Sequence, residues 1–318
     1  MPSQTGSGRG ELRPGIGDDA ALLAPTGSAQ LVVTCDAFLE GVHFLAGVHP
    51  PDAVGYKALV RATSDVAAMG AMPRLFLLTL ALPRNRTGAW LDGFLSGMRR
   101  AASSMGMRLA GGDTTRAEAI SISVTVFGEV APGRAVRRSG ARPGDLIYVS
   151  GPLGGAALGL RVARRGMGGD RRLRPFLQQH LYPRIRLKLG QWLARHSVAS
   201  AMMDVSDGLS TDLARFCAAS RVGARLWRER IPCVSVPSGA PERLGKVEPL
   251  ELGLHGGEDY ELLFTVPRRL RGALRRAPEA SDITAIGEVT PGRRIILVSA
   301  DGGSAILKPG GWDPFRRK

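Results

Sequence analysis

The chain is short of cysteine, of aromatic rings and of negative charge. Its three cysteines, Cys35, Cys217 and Cys233, are odd in number and show no CxxC or Cys/His spacing. That excludes a disulfide framework or a zinc site as the organising feature and fits a reducing compartment. Aromatic residues make up 5% of the 318 positions, with no interleaving of rings and basic side chains of the kind that stacks bases. Long hydrophobic runs are missing as well. The longest, Leu75 to Pro83, is closed by Arg74 and Arg84 and is far too short to span a bilayer. The polar, Gly-rich start MPSQTGSGRG has no apolar segment of a signal peptide. A cytoplasmic protein without a membrane partner is the expectation.

Several catalytic signatures are absent too. There is no GxxxxGK[ST] loop, no HRD and DFG set and no GxSxG elbow. His43, His49, His180, His196 and His255 form no ligand cluster in sequence. Asp and Glu number 28 against 43 Lys and Arg, for a formal charge of +15. The cations are mostly Arg and are scattered, and phosphate-binding surfaces avoid acidic clusters. We read the charge as surface character that helps attract an anionic substrate, and expect no nucleic-acid partner.

What is present is a set of aspartates in turn-like surroundings. Asp18 and Asp19 lie in GIGDDAAL, Asp36 in VVTCDAF, Asp65 in ATSDVAAMG, Asp113 in LAGGDTT, and Asp204 and Asp207 in MMDVSDG. Small residues on sharp bends leave room for water and phosphate oxygens around a hard cation. The same residue types also cap helices and close Asx-turns, so each motif alone has a second reading. Asp65 has a third, because Lys57, Arg61 and Asp65 recur at i, i+4 on one helical face, where Arg61 can pair with it. Five motifs together favour a shared acidic site. Many carboxylates with almost no candidate nucleophile are the inventory for phosphoryl transfer by positioning and several Mg2+ ions. Without cations, carboxylates gathered so closely would repel one another strongly.

The coarse pattern is an alternation of strands and helices. Strands are expected at Leu31–Cys35, Leu75–Leu82, Ser121–Val130 and Leu146–Ser150, and helices at Pro51–Met69, Ala89–Met105 and Leu209–Ala219. The Gly-, Pro- and Arg-rich run 131–145 reads as a connector between halves, and Arg164–Arg174 as a loop. GPLGGAALG is either a phosphate loop or a helix-packing turn. The class is α/β (α+β), in two domains.

Read in order, GIGDDAAL, TCDAFLEGVHF, DAVGYKALVRATSDVAAMGAMP, LAGGDTTR, RRSGARPGDLIYVSG, DVSDGLSTDL, GGEDYELLFTVP and GWDPF resemble the thiamine-monophosphate kinases. These belong to the aminoimidazole-ribonucleotide-synthetase-like superfamily, and the resemblance runs over residues 14–315. It implies that fold and ATP-dependent phosphorylation of thiamine monophosphate to thiamine diphosphate, with Mg2+ and no phosphoenzyme. It further implies a homodimer built through an N-terminal ATP- and Mg-binding domain, residues 1–137. A C-terminal domain, residues 138–318, would complete the nucleotide and thiamine phosphate sites. Carried over position by position, Asp19, Thr34, Asp36, Asp65, Asp113 and Asp204 look like metal ligands, with Asp207 bridging to a further ion. Cys35 stands among them where relatives usually carry Thr, and a thiol is a poor Mg2+ ligand, which leaves its backbone carbonyl. Gly112, Asp113, Arg138 and Ser206 look like ATP contacts, and His43, Glu258 and Trp312 like the thiamine pocket.

Overall fold

The structure, a computed structural model, describes residues 25–237, 244–245 and 247–315. Asp18, Asp19 and the basic end of the chain lie outside them. The chain divides into two compact units, Met1–Val66 with Ala71–Ala135 and Ala67–Gly70 with Val136–Lys318.

In the first unit, four strands pair in the order β1-β4-β2-β3: β1 (Gln30–Leu39), β2 (Met72–Leu82), β3 (Arg108–Arg116) and β4 (Ser121–Val130). Pairing is antiparallel except between β2 and β3. β4 shows the cause most clearly, because Ile122, Val124 and Val126 are buried while the residues between them are only partly covered. Helices α1 (Pro51–Ala68) and α2 (Ala89–Met105) cover the buried face. Two glycines let their backbones touch. A Cβ on Gly55 would stand 1.9 Å from the Phe94 carbonyl oxygen, and one on Gly97 1.8 Å from that of Asp52. The other sheet face is open, with Leu31, Val33 and Met72 exposed by 43%, 55% and 46%.

β1 continues four residues past the expected end at Cys35, so Asp36 lies inside the strand rather than after it. β3 has no counterpart in the expected elements. RLAGGDTTR is too polar and Gly-rich to read as a strand, and parallel pairing with β2 at the sheet edge supplies what its side chains do not.

The second unit holds β5 (Leu146–Val149), α3 (Gly155–Arg164), α4 (Arg174–Leu181), α5 (Leu187–Arg195), β6 (Ala201–Val205), α6 (Leu209–Ser220), β7 (Gly223–Trp227), α7 (Pro249–His255), β8 (Glu261–Val266), β9 (Thr284–Thr290), β10 (Ile295–Val298) and β11 (Ser304–Ile306). The strands form one sheet, β11-β10-β7-β9-β5-β8-β6. β5 and β8 inside the sheet, and β6 at its edge, are buried on both faces, which is why they read as largely apolar runs. Ile147, Val149, Met203 and Val205 pack with Leu213 and Phe216 of α6. Tyr148, Met202 and Phe264 pack with Leu189 and Leu193 of α5. The run 131–145 has no regular structure.

Candidate active site

Strand alternation decides which side chains of the first unit can meet. Thr34 and Asp36 point to the face covered by α1, and Cys35 between them to the open face. The Thr34 hydroxyl donates to Asp65 Oδ2 at 2.6 Å. Arg61, one helical turn before Asp65, gives two donors to Asp36, from Nε at 2.6 Å and Nη2 at 3.2 Å. Arg61 thus reaches across the seam to the strand, where a carboxylate takes both prongs of the guanidinium. Arg61 also lies over the Phe38 ring, 5.1 Å from its centre.

The Cys35 thiol points away from Asp36, which bears on its side chain and not on its backbone carbonyl. Its sulfur sits 3.4 Å from Ser123 Oγ and from Thr125 Oγ1 on the opposite sheet face. Asp113 is on that open face too, because the row Asp113–Thr79–Ser123–Ala37 runs across the sheet beside the row Gly112–Leu78–Val124–Asp36. The sheet therefore stands between Asp113 and the trio of Thr34, Asp36 and Asp65. Gly112 is needed by the strand pairing itself, since a Cβ there would stand 1.9 Å from the Leu78 carbonyl oxygen. Among the described residues no group of three or more His, Cys, Asp or Glu side chains is placed to hold a metal ion. Asp19 lies outside the described residues. His43, in the turn after β1, accepts the Leu39 N–H on Nδ1 at 3.0 Å. That leaves Nε2 to carry the proton of a neutral ring.

In the second unit, β6 carries Asp204 inward to 3% exposure and hands the chain through Ser206–Gly208 to α6. Asp212, buried in the first turn of α6, holds that loop. Its Oδ2 accepts the backbone N–H groups of Ser206 at 3.0 Å and Asp207 at 2.9 Å, and its Oδ1 accepts Arg215 Nη1 at 3.1 Å. Arg215 pairs with Asp207 as well. Burial pushes the Asp212 carboxyl up to about 7, against the amides and Arg215 that favour its charged form.

Two distant segments close on the same loop. The Ser206 carbonyl accepts the Glu258 N–H, and the Asp207 carbonyl accepts the Trp312 N–H, both at 2.8 Å. Glu258 and Tyr260 have positive φ, 70° and 51°, a conformation costly for residues with a Cβ and kept only where surroundings enforce it. The Glu258 carboxylate lies 3.3 Å from Nδ1 of the fully buried His180. Trp312 is 44% exposed. Ser206, Asp207, Glu258 and Trp312 thus come together around one turn. Arg138 does not join them. Its carbonyl accepts Ser220 Oγ at 2.9 Å, at the far end of α6, a helix about 18 Å long at 1.5 Å per residue.

GPLGGAALG proves to be a helix-packing turn. Asp259 accepts the N–H groups of Gly154 at 2.7 Å and Ala156 at 3.1 Å, so a carboxylate of the chain itself fills the start of α3. Burial pushes Asp259 up to about 7.

Comparison with known proteins identifies the family. Residues 17–130 match the AIR synthase related protein N-terminal domain and residues 142–299 its C-terminal domain. The thiamine-monophosphate kinase of Escherichia coli strain K12 is 39% identical over 316 residues, covering 97% of this chain and 94% of that protein. The crystal structure of thiamine-monophosphate kinase from Stenotrophomonas maltophilia K279a superposes with a TM-score of 0.81 at 38% identity, covering 92% of each chain. AaThiL complexed with AMPPCP and TMP superposes at 0.80 with 35% identity, covering 95% of this chain and 92% of that one. The chain belongs to the thiamine-monophosphate kinase family.

Within the family motifs, reasoning from sequence passed over several residues that the structure makes central. Asp212 lies inside the quoted DVSDGLSTDL, and an acid in a helix's first turn is a signal that was available. Asp259 lies inside GGEDYEL, of which only Glu258 had been singled out. His180 carries no local signal, because only the fold brings it to Glu258.

Proposed function

We propose that this chain transfers the γ-phosphoryl group of ATP to the phosphate of thiamine monophosphate, giving thiamine diphosphate and ADP. The bond from the γ-phosphorus to the bridging oxygen of ADP breaks, and a bond to an oxygen of the thiamine phosphate forms. No residue is phosphorylated on the way. Family membership carries the reaction class, supported by the AaThiL complex with AMPPCP, an ATP analogue, and TMP. The observation that carries the site is the meeting of Ser206, Asp207, Glu258 and Trp312 around one turn.

In this reading Ser206 contacts the nucleotide, with Gly112, Asp113 and Arg138, whose guanidinium suits a phosphate. Trp312 stacks on the flat cationic thiamine rings, Glu258 answers their positive charge, and His43 adds a polar contact. Thr34, Asp36, Asp65, Asp113, Asp204 and Asp207, with Asp19, are oxygen donors of the kind Mg2+ takes. The first unit fits that demand, since Asp36 and Asp65 already draw a guanidinium and a hydroxyl onto their oxygens. Bound there, Mg2+ would supply charge neutralisation for the phosphoryl group in flight. The chain's own work is to orient donor and acceptor and to exclude water, with residues 1–137 serving ATP, metal and dimerisation and residues 138–318 completing both substrate sites. A homodimer is supported by the open sheet face with Leu31, Val33 and Met72 exposed. The cytoplasm suits three unpaired cysteines. Among the described residues no helix is long and apolar enough to cross a membrane.

The test is incubation of purified chain with ATP, Mg2+ and thiamine monophosphate, with thiamine diphosphate and ADP quantified by chromatography. The expected result is one ADP per thiamine diphosphate, abolished by EDTA. Inertness toward thiamine monophosphate, with turnover of a purine ribonucleotide, would overturn the proposal.

A further inference from the structure

The segment that ends in Trp312 has no regular structure, yet three consecutive amides fasten it to the start of α6. Gly310 N–H donates to Ser210 Oγ at 3.0 Å, Gly311 N–H to Thr211 Oγ1 at 3.0 Å, and Trp312 N–H to the Asp207 carbonyl at 2.8 Å. Ser210 and Thr211 are buried, at 0% and 8% exposure, and the Ser210 hydroxyl also meets His255 Nδ1 at 2.8 Å. The approach is so close that only glycine fits. A Cβ on Gly310 would stand 2.4 Å from His255 Nδ1, and one on Gly311 2.0 Å from the Asp207 carbonyl oxygen. One residue further along the helix, Asp212 grips the Ser206–Asp207 loop. The first turn of α6 therefore holds the tryptophan segment with Ser210 and Thr211 and the aspartate loop with Asp212.

We propose that Thr211 is a positioning residue for the phosphoryl acceptor. Its hydroxyl fixes the backbone next to Trp312 and so sets where the indole stands, without touching substrate. This rests on the reading that Trp312 faces the thiamine rings. An amide that loses a buried acceptor costs enough to release a short segment from its seat. Loss of the hydroxyl should then weaken acceptor binding and leave the nucleotide, assigned to other residues, unaffected.

Thr211→Val keeps the shape of the side chain and removes the acceptor, and Thr211→Ser restores the hydroxyl. The measurements are steady-state kinetics with each substrate varied in turn, and hydrogen exchange of the peptide covering 308–315. In Thr211→Val the KM for thiamine monophosphate should rise roughly five- to tenfold, the size of one hydrogen bond, with the KM for ATP unchanged and exchange in 308–315 faster. Thr211→Ser should bring both readouts back toward wild type. If Thr211→Val does not fold, Gly311→Ala displaces the segment from its own side and should give the same split. An unchanged KM for thiamine monophosphate, equal rises for both substrates, or exchange like wild type would overturn the proposal. A wild-type chain inert toward thiamine monophosphate would instead overturn the proposed function, and the exchange measurement would still decide whether Thr211 seats the segment.

Discussion

Asp36 and Asp65 of the first unit are met by side chains, the Arg61 guanidinium and the Thr34 hydroxyl, at a partly exposed seam between strand and helix. Asp212 and Asp259 of the second unit are buried and are met by backbone amides, of the loop leading into α6 and of the start of α3, with Arg215 adding a side-chain donor to Asp212. A side chain can swing aside when a cation arrives, because its rotamers cost little to change. Backbone amides at a helix start or in the loop leading into it move only when the main chain itself moves. The acids of the first unit are therefore suited to exchanging partners during a reaction, and the buried acids of the second to bracing loops. Removing one of the first kind should damage turnover, and removing one of the second kind should damage stability.

The largest expected effect is on chemistry in the first unit. Asp65→Asn or Asp113→Asn should lower turnover at least about a hundredfold at saturating substrate, the scale of losing a preorganised electrostatic group. The fold should survive in both, as read by thermal melting. Near-normal turnover at low Mg2+ would erase the distinction between the units.

Asp259→Ala should act on stability. It orphans the Gly154 and Ala156 amides and should cost about 2–3 kcal/mol, read as a lower urea midpoint. The pH dependence carries a sign. Burial raises the Asp259 carboxyl from 3.8 to about 7, so between those values the folded state holds a proton that the unfolded chain has released. Its contribution to stability therefore falls as pH rises from about 4 to about 7. The deficit of Asp259→Asn relative to wild type should shrink over the same range, and a constant deficit would contradict the buried assignment.

Trp312→Ala sharpens the comparison inside the second unit. The KM for thiamine monophosphate should rise roughly tenfold, a stacking-sized loss of about 1–2 kcal/mol, while the KM for ATP stays near wild type. Equal weakening of both substrates would make Trp312 a support of the fold. Arg61→Met, which strips the fork from Asp36, should lower melting stability by about 1 kcal/mol, a partly exposed pair. Mg2+ should restore part of it if Asp36 changes partners as argued. The smallest effect belongs to Cys35→Thr. With the thiol on the face away from Thr34 and Asp36, turnover and Mg2+ activation should stay within about twofold of wild type, a surface-sized change.

Periodicity and family motifs determined much of this from sequence. The ends of α2 and β4 and the start of α1 were legible because local signals set them, a 3.6-residue apolar stripe, strict alternation and an initial proline. The motifs carried the family, because eight short runs in fixed order are far more specific than any one of them. What sequence could not hold is which side chains meet. The partner of Arg61, the face occupied by Cys35 and Asp113, and the role of GPLGGAALG depend on strand register and on segments far apart in the chain. β3 escaped for the same reason, since its partner strand rather than its own residues makes it a strand. Local propensity acts over a few residues, whereas the contacts that seat Trp312 and Glu258 on one turn join positions about 50 and 100 residues apart, and only the folded chain brings them together.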